Sequence, residues 1–156
     1  MIIKAINEED FTNYKKPSMF VAFPRCSWKC EKECGKRVCQ NGALAAAPDI
    51  EVYATSLVGR YLENPITKAV VIGGLEPMDS FSELEDFILT FRLWSNDDVV
   101  IYTGYTEEEI KNKIERLKLY SPIVIKFGRY IPDMKPHFDD ELGVCLASDN
   151  QYAKRW

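Results

Sequence analysis

The second half of the chain alternates short apolar runs with amphipathic segments, and this alternation constrains the fold more than any other feature. Three runs of strand length, at 68–72, 98–102 and 122–127, are almost wholly apolar. Such continuous runs are typical of strands that are covered on both faces. Segments with helical periodicity separate them. The pattern therefore predicts βαβ units around a parallel sheet, which is the α/β class.

Two of the separating segments carry helix start signals. Ser80 and Glu83 have the spacing of a capping box, in which each side chain bonds a backbone N–H of the other residue. Thr106 and Glu109 repeat that spacing. Each pair precedes an apolar stripe at helical spacing, so each predicts a helix that packs one face on the sheet. The stripes are Phe81, Leu84, Ile88 and Phe91 in the first helix and Ile110, Ile114 and Leu117 in the second.

The first half contributes further elements. Apolar runs at 1–6 and 18–23 predict strands, and the first is expected to end where the polar run after it begins. Short helices are predicted at 41–47 and 55–62. A last short strand is predicted at 144–146.

Length and composition narrow the class of protein. At 156 residues the chain has the size of one domain, so we predict a single domain over 1–156. The net charge of −4 argues against nucleic acid as the main partner. No apolar run approaches the roughly 20 residues of a membrane span, and the first ten residues do not resemble a leader. We therefore expect a cytoplasmic protein without a membrane partner, in which thiols stay reduced.

Four of the five cysteines lie within a run of fourteen residues that follows the strand at 18–23. Structural zinc sites favour C-x2-C pairs in two distant halves, and this run contains no such pair. Iron–sulfur clusters also use cysteine thiolates, and one compact loop can surround a cluster. The spacing favours an iron–sulfur cluster over zinc and over free or disulfide-bonded thiols, which stay open as alternatives. The four residues are Cys26, Cys30, Cys34 and Cys39.

Basic residues surround these thiols. A nearby cation lowers the pKa of a thiol and offsets the negative charge of a bound cluster, so these residues are expected to do both. The alternative is a solvated loop. The fifth cysteine, Cys145, lies between two apolar residues and is expected to be buried. The basic residues are Arg25, Lys29, Lys32, Lys36 and Arg37.

Parallel α/β folds bind ligands at the carboxyl ends of their strands. Four loops of this chain follow predicted strands: the cysteine run, 73–77, 103–105 and 128–130. The loops at 73–77, 103–105 and 128–130 carry glycine at or near the end of the strand, which lets the backbone approach a ligand closely. All four loops are therefore expected to lie at one edge of the sheet and to face a shared pocket.

Taken together, these motifs give the chain a family resemblance. It resembles the radical S-adenosylmethionine superfamily, and most of all the activating proteins of anaerobic ribonucleotide reductase, over about 19–151. The resemblance is carried by the order and spacing of several short segments, of which none is decisive alone. In chain order they are the Cys-Gln-Asn ending at 39–41, Gly73-Gly74-Leu75-Glu76-Pro77, YTGYTEE at 102–108, Gly-Arg-Tyr at 128–130 and Ser-Asp-Asn-Gln at 148–151.

The resemblance implies a 4Fe–4S cluster held by Cys26, Cys30 and Cys39, with one iron open to S-adenosylmethionine. One electron then cleaves the sulfonium, and the 5′-deoxyadenosyl radical takes hydrogen from a glycine of a partner. That partner is a glycyl-radical enzyme, by resemblance the anaerobic ribonucleotide reductase. A flavodoxin- or ferredoxin-like protein would donate the electron. The implied cofactor-binding residues are Gly73, Gly74, Glu76, Tyr102, Thr103 and Gly104.

Two departures from the family pattern matter. The usual cysteine spacing is C-x3-C-x2-C, whereas here only the interval from Cys26 to Cys30 matches. The third ligand is either Cys34 or Cys39, and the Cys-Gln-Asn ending favours Cys39. An inserted Leu75 also shifts the acidic residue of the glycine-rich loop by one position. The alternative function is therefore a non-catalytic iron–sulfur or zinc module with a role in electron transfer or assembly.

A closed barrel of eight βα units needs roughly 200 residues or more. This chain is shorter and is expected to supply about five or six parallel strands. We therefore predict a parallel sheet of βα units that forms an open or incomplete, partial TIM-like barrel. Its open side would leave room for a protein substrate.

Overall fold

A computed structural model describes the whole chain, residues 1–156, with ten strands and five α-helices. The strands are β1 Ile2–Ile3, β2 Ala5–Asp10, β3 Ser18–Phe23, β4 Ile50–Glu51, β5 Ala69–Gly74, β6 Asp98–Tyr102, β7 Ile123–Phe127, β8 His137–Asp139, β9 Val144–Leu146 and β10 Tyr152–Arg155. The helices are α1 Lys29–Cys34, α2 Gly42–Ala46, α3 Ala54–Glu63, α4 Phe81–Arg92 and α5 Lys111–Leu117.

Six strands form the central sheet, in the order β10-β7-β6-β5-β3-β2. The four inner strands β3, β5, β6 and β7 are parallel, whereas β2 and β10 pair antiparallel at the two edges. The predicted α/β class and its parallel βα units are confirmed. The expected five or six parallel strands are wrong, because the link from β2 to β3 is too short for the crossover that parallel pairing needs.

All three longer helices lie on one face of this sheet. Residues of α3, α4 and α5 join alternate residues of the inner strands in a core of 22 buried residues. The opposite face carries a smaller core of 7 buried residues, in which Tyr14, Leu142 and Leu146 cover the strands. Helices on one face alone are typical of a barrel wall. Because the sheet ends at two free edges, it is not a closed barrel, and the incomplete barrel stays a prediction.

The two predicted capping boxes have different outcomes. Thr106 and Glu109 form theirs: the backbone N of Thr106 donates to Glu109 Oε2 at 2.9 Å, and the backbone N of Glu109 donates to Thr106 Oγ1 at 3.4 Å. They do so in a turn that leads into α5. Ile110, Ile114 and Leu117 are buried as the periodicity predicted.

The capping box at Ser80 and Glu83 is wrong. A single 3-10 turn, Pro77–Ser80, precedes α4, and the side chain of Ser80 makes no capping hydrogen bond. Instead Glu76 caps that turn, because its Oε1 accepts a bond from the backbone N of Met78 at 3.1 Å. Three residues of the predicted stripe, Leu84, Ile88 and Phe91, are buried nonetheless; Phe81 is only partly buried, and Phe87 is buried in addition.

Most predicted strands are present within a residue or two. Those at 18–23, 98–102 and 144–146 have the predicted boundaries. The single strand predicted at 1–6 is wrong, because this segment forms two strands of different sheets, β1 and β2, and β2 continues through a polar run to Asp10. An edge strand with an exposed face tolerates such residues. No helix of the structure has the length and apolar character needed to cross a membrane.

Candidate functional site

The carboxyl ends of the four parallel strands border a cavity of about 460 Å³. Residues of the cysteine run, 73–76, 102–104 and 128–130 all line it. The prediction that these four loops meet at one edge of the sheet is therefore confirmed. A further wall comes from 144–147, on the sheet face that carries no helices.

The clustered cysteines divide between two pockets. Cys26, Cys30 and Cys39 line the cavity. Cys34 does not line it and instead borders a neighbouring pocket together with Cys30. The three cysteines that the resemblance implied thus line one cavity, whereas Cys34 borders the neighbouring pocket, which it shares with Cys30. Whether these three bind a cluster stays a prediction.

Cys145 also lines the cavity, and its thiol is exposed. The expectation of a buried thiol is wrong because side chains alternate along a strand. Val144 and Leu146 are the more buried residues of β9, and Cys145 lies between them on the other side. Apolar neighbours in sequence therefore do not imply burial here.

The cysteine run is held in place by polar contacts, since neither α1 nor α2 contains a buried residue. The backbone N of Ser27 donates to Asp79 Oδ2 at 2.6 Å, and the hydroxyl of Tyr105 donates to Asp79 Oδ1 at 2.5 Å. At the far end of the run, Asn41 Nδ2 donates to the carbonyl of Gly74 at 2.8 Å. These bonds anchor the run to the loops after β5 and β6.

Arg129 provides a second anchor, from the loop after β7. Its guanidinium lies 3.2 Å from a carboxylate oxygen of Glu33 in the cysteine run and 2.5 Å from one of Glu109. The side chain of Arg129 is only 10% exposed, so these pairs are better shielded than ordinary surface ion pairs. The Gly-Arg-Tyr segment thus contacts the cysteine run directly.

Two of the three cavity cysteines accept backbone hydrogen bonds. The N–H of Trp28 donates to Cys26 Sγ at 3.2 Å, and the N–H of Asn41 donates to Cys39 Sγ at 3.4 Å. Trp28 adopts the left-handed conformation with φ of 58°, which is uncommon for a bulky residue. Such N–H donors stabilise the thiolates that an iron–sulfur cluster requires.

Burial is the largest influence on the pKa of two thiols of the cavity, those of Cys26 and Cys30. It raises the pKa of Cys26 to about 11, and it raises the pKa of Cys30 although the charge of Arg129 acts in the opposite direction. The expectation that basic residues of the run lower thiol pKa values is therefore wrong for these two thiols. Most of those cations are exposed, so water screens their charge. The exposed ones are Arg25, Lys32, Lys36 and Arg37.

The carboxylate of Glu76 joins the loops after β5 and β6. It is buried and accepts bonds from Thr103 Oγ1 at 2.7 Å and from the backbone N of Gly104 at 2.8 Å. Burial raises the pKa of Glu76, while these donors and the N–H of Met78 act to lower it. The protein thus already provides three donors to this carboxylate. The predicted contact of Glu76 and Thr103 with a cofactor stays a prediction.

Gly73 and Gly74 form the end of β5. The registered pairing of β5 with β6 ends at Ile72, so both glycines lie beyond it. Gly74 has φ of +94°, and a Cβ there would lie 2.7 Å from the backbone N of Phe23. Only glycine allows β5 to approach β3 this closely at the edge where the cysteine run begins.

The remaining predicted cofactor residues also border the cavity. The hydroxyl of Tyr102 donates to the carbonyl of Asn13 at 2.6 Å. A Cβ at Gly104 would lie 3.7 Å from Cys30 Sγ, so this glycine keeps the space beside the thiol free. The structure thus brings all six predicted cofactor-binding residues and all three predicted metal ligands to one cavity.

Sequence reasoning missed one residue of the cavity, Lys126. It is 7% exposed, and its Nζ donates to the carbonyl of Gly128 at 2.9 Å. Burial lowers the pKa of Lys126 to about 8, and the charges of Glu76 and Cys30 oppose that shift. The available signal was a single lysine inside the apolar run 122–127.

The donors that the cysteine run contributes to the cavity are the thiols of Cys26, Cys30 and Cys39. In this structure no three His, Cys, Asp or Glu side chains are grouped closely enough to hold a single metal ion. A 4Fe–4S cluster takes each thiolate on a different iron, so its ligands surround a volume rather than a point. Three thiols around one cavity, two of them with N–H donors, match that requirement.

Comparison with known families agrees with this chemistry. Residues 17–141 match the family model described as a 4Fe-4S single cluster domain. Neither the curated proteins nor the solved structures contain a match to the chain. The family model covers well over half of the 156 residues and includes the whole cysteine run. The predicted iron–sulfur protein is thereby confirmed, and the chain belongs to the 4Fe-4S single cluster domain family.

Proposed function

We propose that this chain is a radical S-adenosylmethionine enzyme that generates a glycyl radical on a partner, by resemblance the anaerobic ribonucleotide reductase. Cys26, Cys30 and Cys39 would hold the 4Fe–4S cluster, which when bound supplies the electron that cleaves S-adenosylmethionine. One observation carries the proposal. The three thiols share a cavity with the glycine end of β5, and Cys34 lies outside it.

The loops around the cavity would bind and orient S-adenosylmethionine. Gly73 and Gly74 extend past the paired part of β6, which leaves room for the ligand's ammonium beside their backbone. Gly104 leaves space next to Cys30. Glu76 holds the loops after β5 and β6 at a fixed separation through its bonds to both, so it acts as a positioning residue whether or not it touches the ligand.

The cavity also suits a macromolecular substrate. Cys145 is exposed and lines it, so the cavity reaches the protein surface. A backbone segment that presents a glycine needs such access, because a closed pocket would exclude it. We propose that the partner approaches between the cysteine run and 144–147.

The electron donor would bind the exposed side of the cysteine run. Lys32, Lys36 and Arg37 are exposed there, although the chain as a whole has a net charge of −4. A small acidic protein would meet complementary charge next to the cluster site. A flavodoxin- or ferredoxin-like protein meets this description.

A second candidate function is a non-catalytic module that binds its cluster through all four cysteines of the run. The observation that favours it is the position of Cys34, four residues after Cys30 on α1. Both residues border the neighbouring pocket. A modest rearrangement of this short helix would bring Cys34 to a fourth iron and leave no iron open to a ligand.

Two matched variants, Cys34→Ala and Cys39→Ala, distinguish the candidates after anaerobic reconstitution with iron and sulfide. We expect Cys34→Ala to keep about four irons per chain. Its reduced electron paramagnetic resonance signal should change when S-adenosylmethionine is added. Cys39→Ala should lose the cluster. Cluster loss in Cys34→Ala, or a wild-type signal that S-adenosylmethionine leaves unchanged, would contradict the radical enzyme and support the four-cysteine module.

A further inference from the structure

We propose that Lys126 is the anion-binding residue of the cavity and pairs with the carboxylate of S-adenosylmethionine, an inference that rests on the proposed function. Lys126 lies on β7, whose other four residues are apolar, and is 7% exposed. A lysine buried to this extent needs a partner, because an unpaired buried charge is costly.

The protein itself provides an acceptor for only one of the three protons on the Lys126 ammonium. The ammonium of Lys126 has three protons, and one of them is donated to the carbonyl of Gly128 at 2.9 Å. None of the ion pairs in the structure includes Lys126, so no carboxylate lies within 4.0 Å of its nitrogen. Two donors are thus left for a ligand.

The position of Lys126 favours the amino-acid part of the ligand. In the sheet Lys126 is the register partner of Tyr102 on β6. It follows Val124 on the face without helices, and this face forms one side of the cavity. The thiols and the glycine end of β5 border the same cavity. A ligand whose ammonium lies beside Gly73 and Gly74 can therefore direct the adjacent carboxylate towards Lys126.

The obvious alternative is that Lys126 only balances the negative charge of the cluster and its thiolates. The two roles differ in what they recognise. As a counter-ion, Lys126 would act on the cluster rather than on the ligand, so its loss would change the binding of both ligands to a similar extent. A carboxylate partner discriminates between ligands that have and lack that group.

The test compares S-adenosylmethionine with its decarboxylated analogue, which keeps the adenosyl, sulfonium and amino groups. Both are titrated into anaerobically reconstituted wild type and Lys126→Met, and binding is measured by calorimetry. Lys126→Met should weaken the binding of S-adenosylmethionine by about 10- to 100-fold, the usual effect of losing a charge-assisted hydrogen bond. It should change the affinity for the analogue by less than about threefold. Iron content verifies that the cluster is present.

Lys113→Met is the matched control. Lys113 is also partly buried and donates to a backbone carbonyl, that of Met78, at 2.7 Å, but it does not line the cavity. This variant should bind both ligands as the wild type does. If Lys126→Met weakens the binding of both ligands equally, or changes the binding of neither, the inference is overturned and the counter-ion role is favoured.

The wild type alone separates failure of the inference from failure of the proposed function. A reconstituted wild type with full iron content that binds neither ligand overturns both. A wild type that binds the two ligands equally well overturns the inference even if Lys126→Met does not fold. A wild type that prefers S-adenosylmethionine, with Lys126→Met unchanged, overturns the inference and leaves the proposed function intact.

Discussion

At the scale of single residues, the hydroxyl of Thr103 is a critical contact for the buried carboxylate of Glu76. It donates at 2.7 Å and also accepts a bond from the backbone N of Tyr105 at 3.1 Å. Thr103→Val keeps the side-chain shape but removes the hydrogen bonds to Glu76 and to the backbone N of Tyr105. We expect the free energy of unfolding in urea to fall by about 2 kcal/mol.

Thr103→Ser is the control for this prediction. It keeps the hydroxyl and removes one methyl group, so the loss should stay below about 1 kcal/mol. Equal losses in the two variants would mean that packing of the methyl group, rather than the hydrogen bond, stabilises these loops.

Asp98, at the start of β6, gives a prediction on pH. It is buried, which alone would raise its pKa, but hydrogen bonds from Arg155 at 2.7 Å, Lys16 at 2.6 Å and Tyr14 at 2.9 Å hold the pKa well below its usual range. A lowered carboxyl pKa stabilises the folded state above the unfolded value of about 3.9, and this contribution is lost as pH falls through the folded value.

Asp98→Asn should therefore lower the free energy of unfolding by about 2 kcal/mol at pH 7, a moderate value because Lys16 and Arg155 are partly exposed. The difference from wild type should shrink as pH falls below about 4. Asp140→Asn is the control, since Asp140 is exposed and should change stability by less than about 0.5 kcal/mol. A difference between Asp98→Asn and wild type that stays constant from pH 7 down to pH 2 would argue against this account.

Sequence could identify residues at the site more readily than their environment. The cysteine run and the Gly73-Gly74 step are visible as composition and spacing. The pKa of Cys26 was not predictable, because it depends on burial by loops distant in sequence. The exposure of Cys145 was missed since its face of β9 is set by pairing with β8.

At the scale of elements, the close approach of β3 and β5 at the cysteine edge depends on Gly74. A Cβ there would lie 2.7 Å and 2.8 Å from backbone atoms of Phe23 and Ala22, and φ is +94°. Gly74→Ala should lower the free energy of unfolding by at least about 2 kcal/mol, because backbone atoms must move apart. It should also lower iron retention, since the cysteine run starts at this edge.

Gly59→Ala is the matched control. Gly59 lies within α3, and a Cβ there would meet no atom within 4 Å. Alanine is favoured over glycine inside a helix, so we expect this variant to stabilise the protein by about 0.5–1 kcal/mol. Chemical denaturation measures both variants. A Gly74→Ala variant as stable as the wild type would show that the two strands can separate without cost.

The elements themselves were largely predictable, because apolar runs and helical stripes report burial directly. The strand at 98–102 and the capping box at Thr106 are examples. The capping box at Ser80 is not formed because Glu76 caps a 3-10 turn, Pro77–Ser80, that precedes the helix, and spacing alone does not reveal this turn. The end of β2 was missed since an edge strand is defined by pairing rather than by hydrophobicity.

At the scale of the whole molecule, the cysteine run is separate from both cores. Its helices α1 and α2 contain no buried residue, and a few polar contacts hold them. Removing iron from the reconstituted protein with a chelator should therefore increase amide hydrogen exchange at 24–47 by at least about tenfold. Amides of β5 and β6 should keep their protection.

Mass spectrometry of the exchanged protein under anaerobic conditions measures this difference. The Cys26→Ala variant, treated with iron and then chelator in the same way, controls for effects of the chelator itself. Loss of protection that spreads into the central strands would contradict the separation, because it would mean that the cluster stabilises the sheet as well as the run.

The overall architecture was predictable as far as local sequence determines it. Buried runs such as 68–72 and 98–102 indicate inner parallel strands. The antiparallel edges formed by β2 and β10 depend on which distant strand each one meets, and no local pattern encodes that choice. The count of parallel strands was therefore too high, while the class of fold and the sheet edge at which the four loops meet were correct.

The unequal covering of the two sheet faces has a consequence for how this scaffold can diversify. The face with helices holds 22 buried residues, whereas the face that forms the cavity wall holds 7. Substitutions at Val144, Cys145 and Ala147, which are not fully buried, can reshape the entrance to the cavity at little cost to folding, whereas Leu146 belongs to the smaller core. A lineage built on this chain could thus change what enters the cavity while it keeps the same stable frame and the same cysteine run.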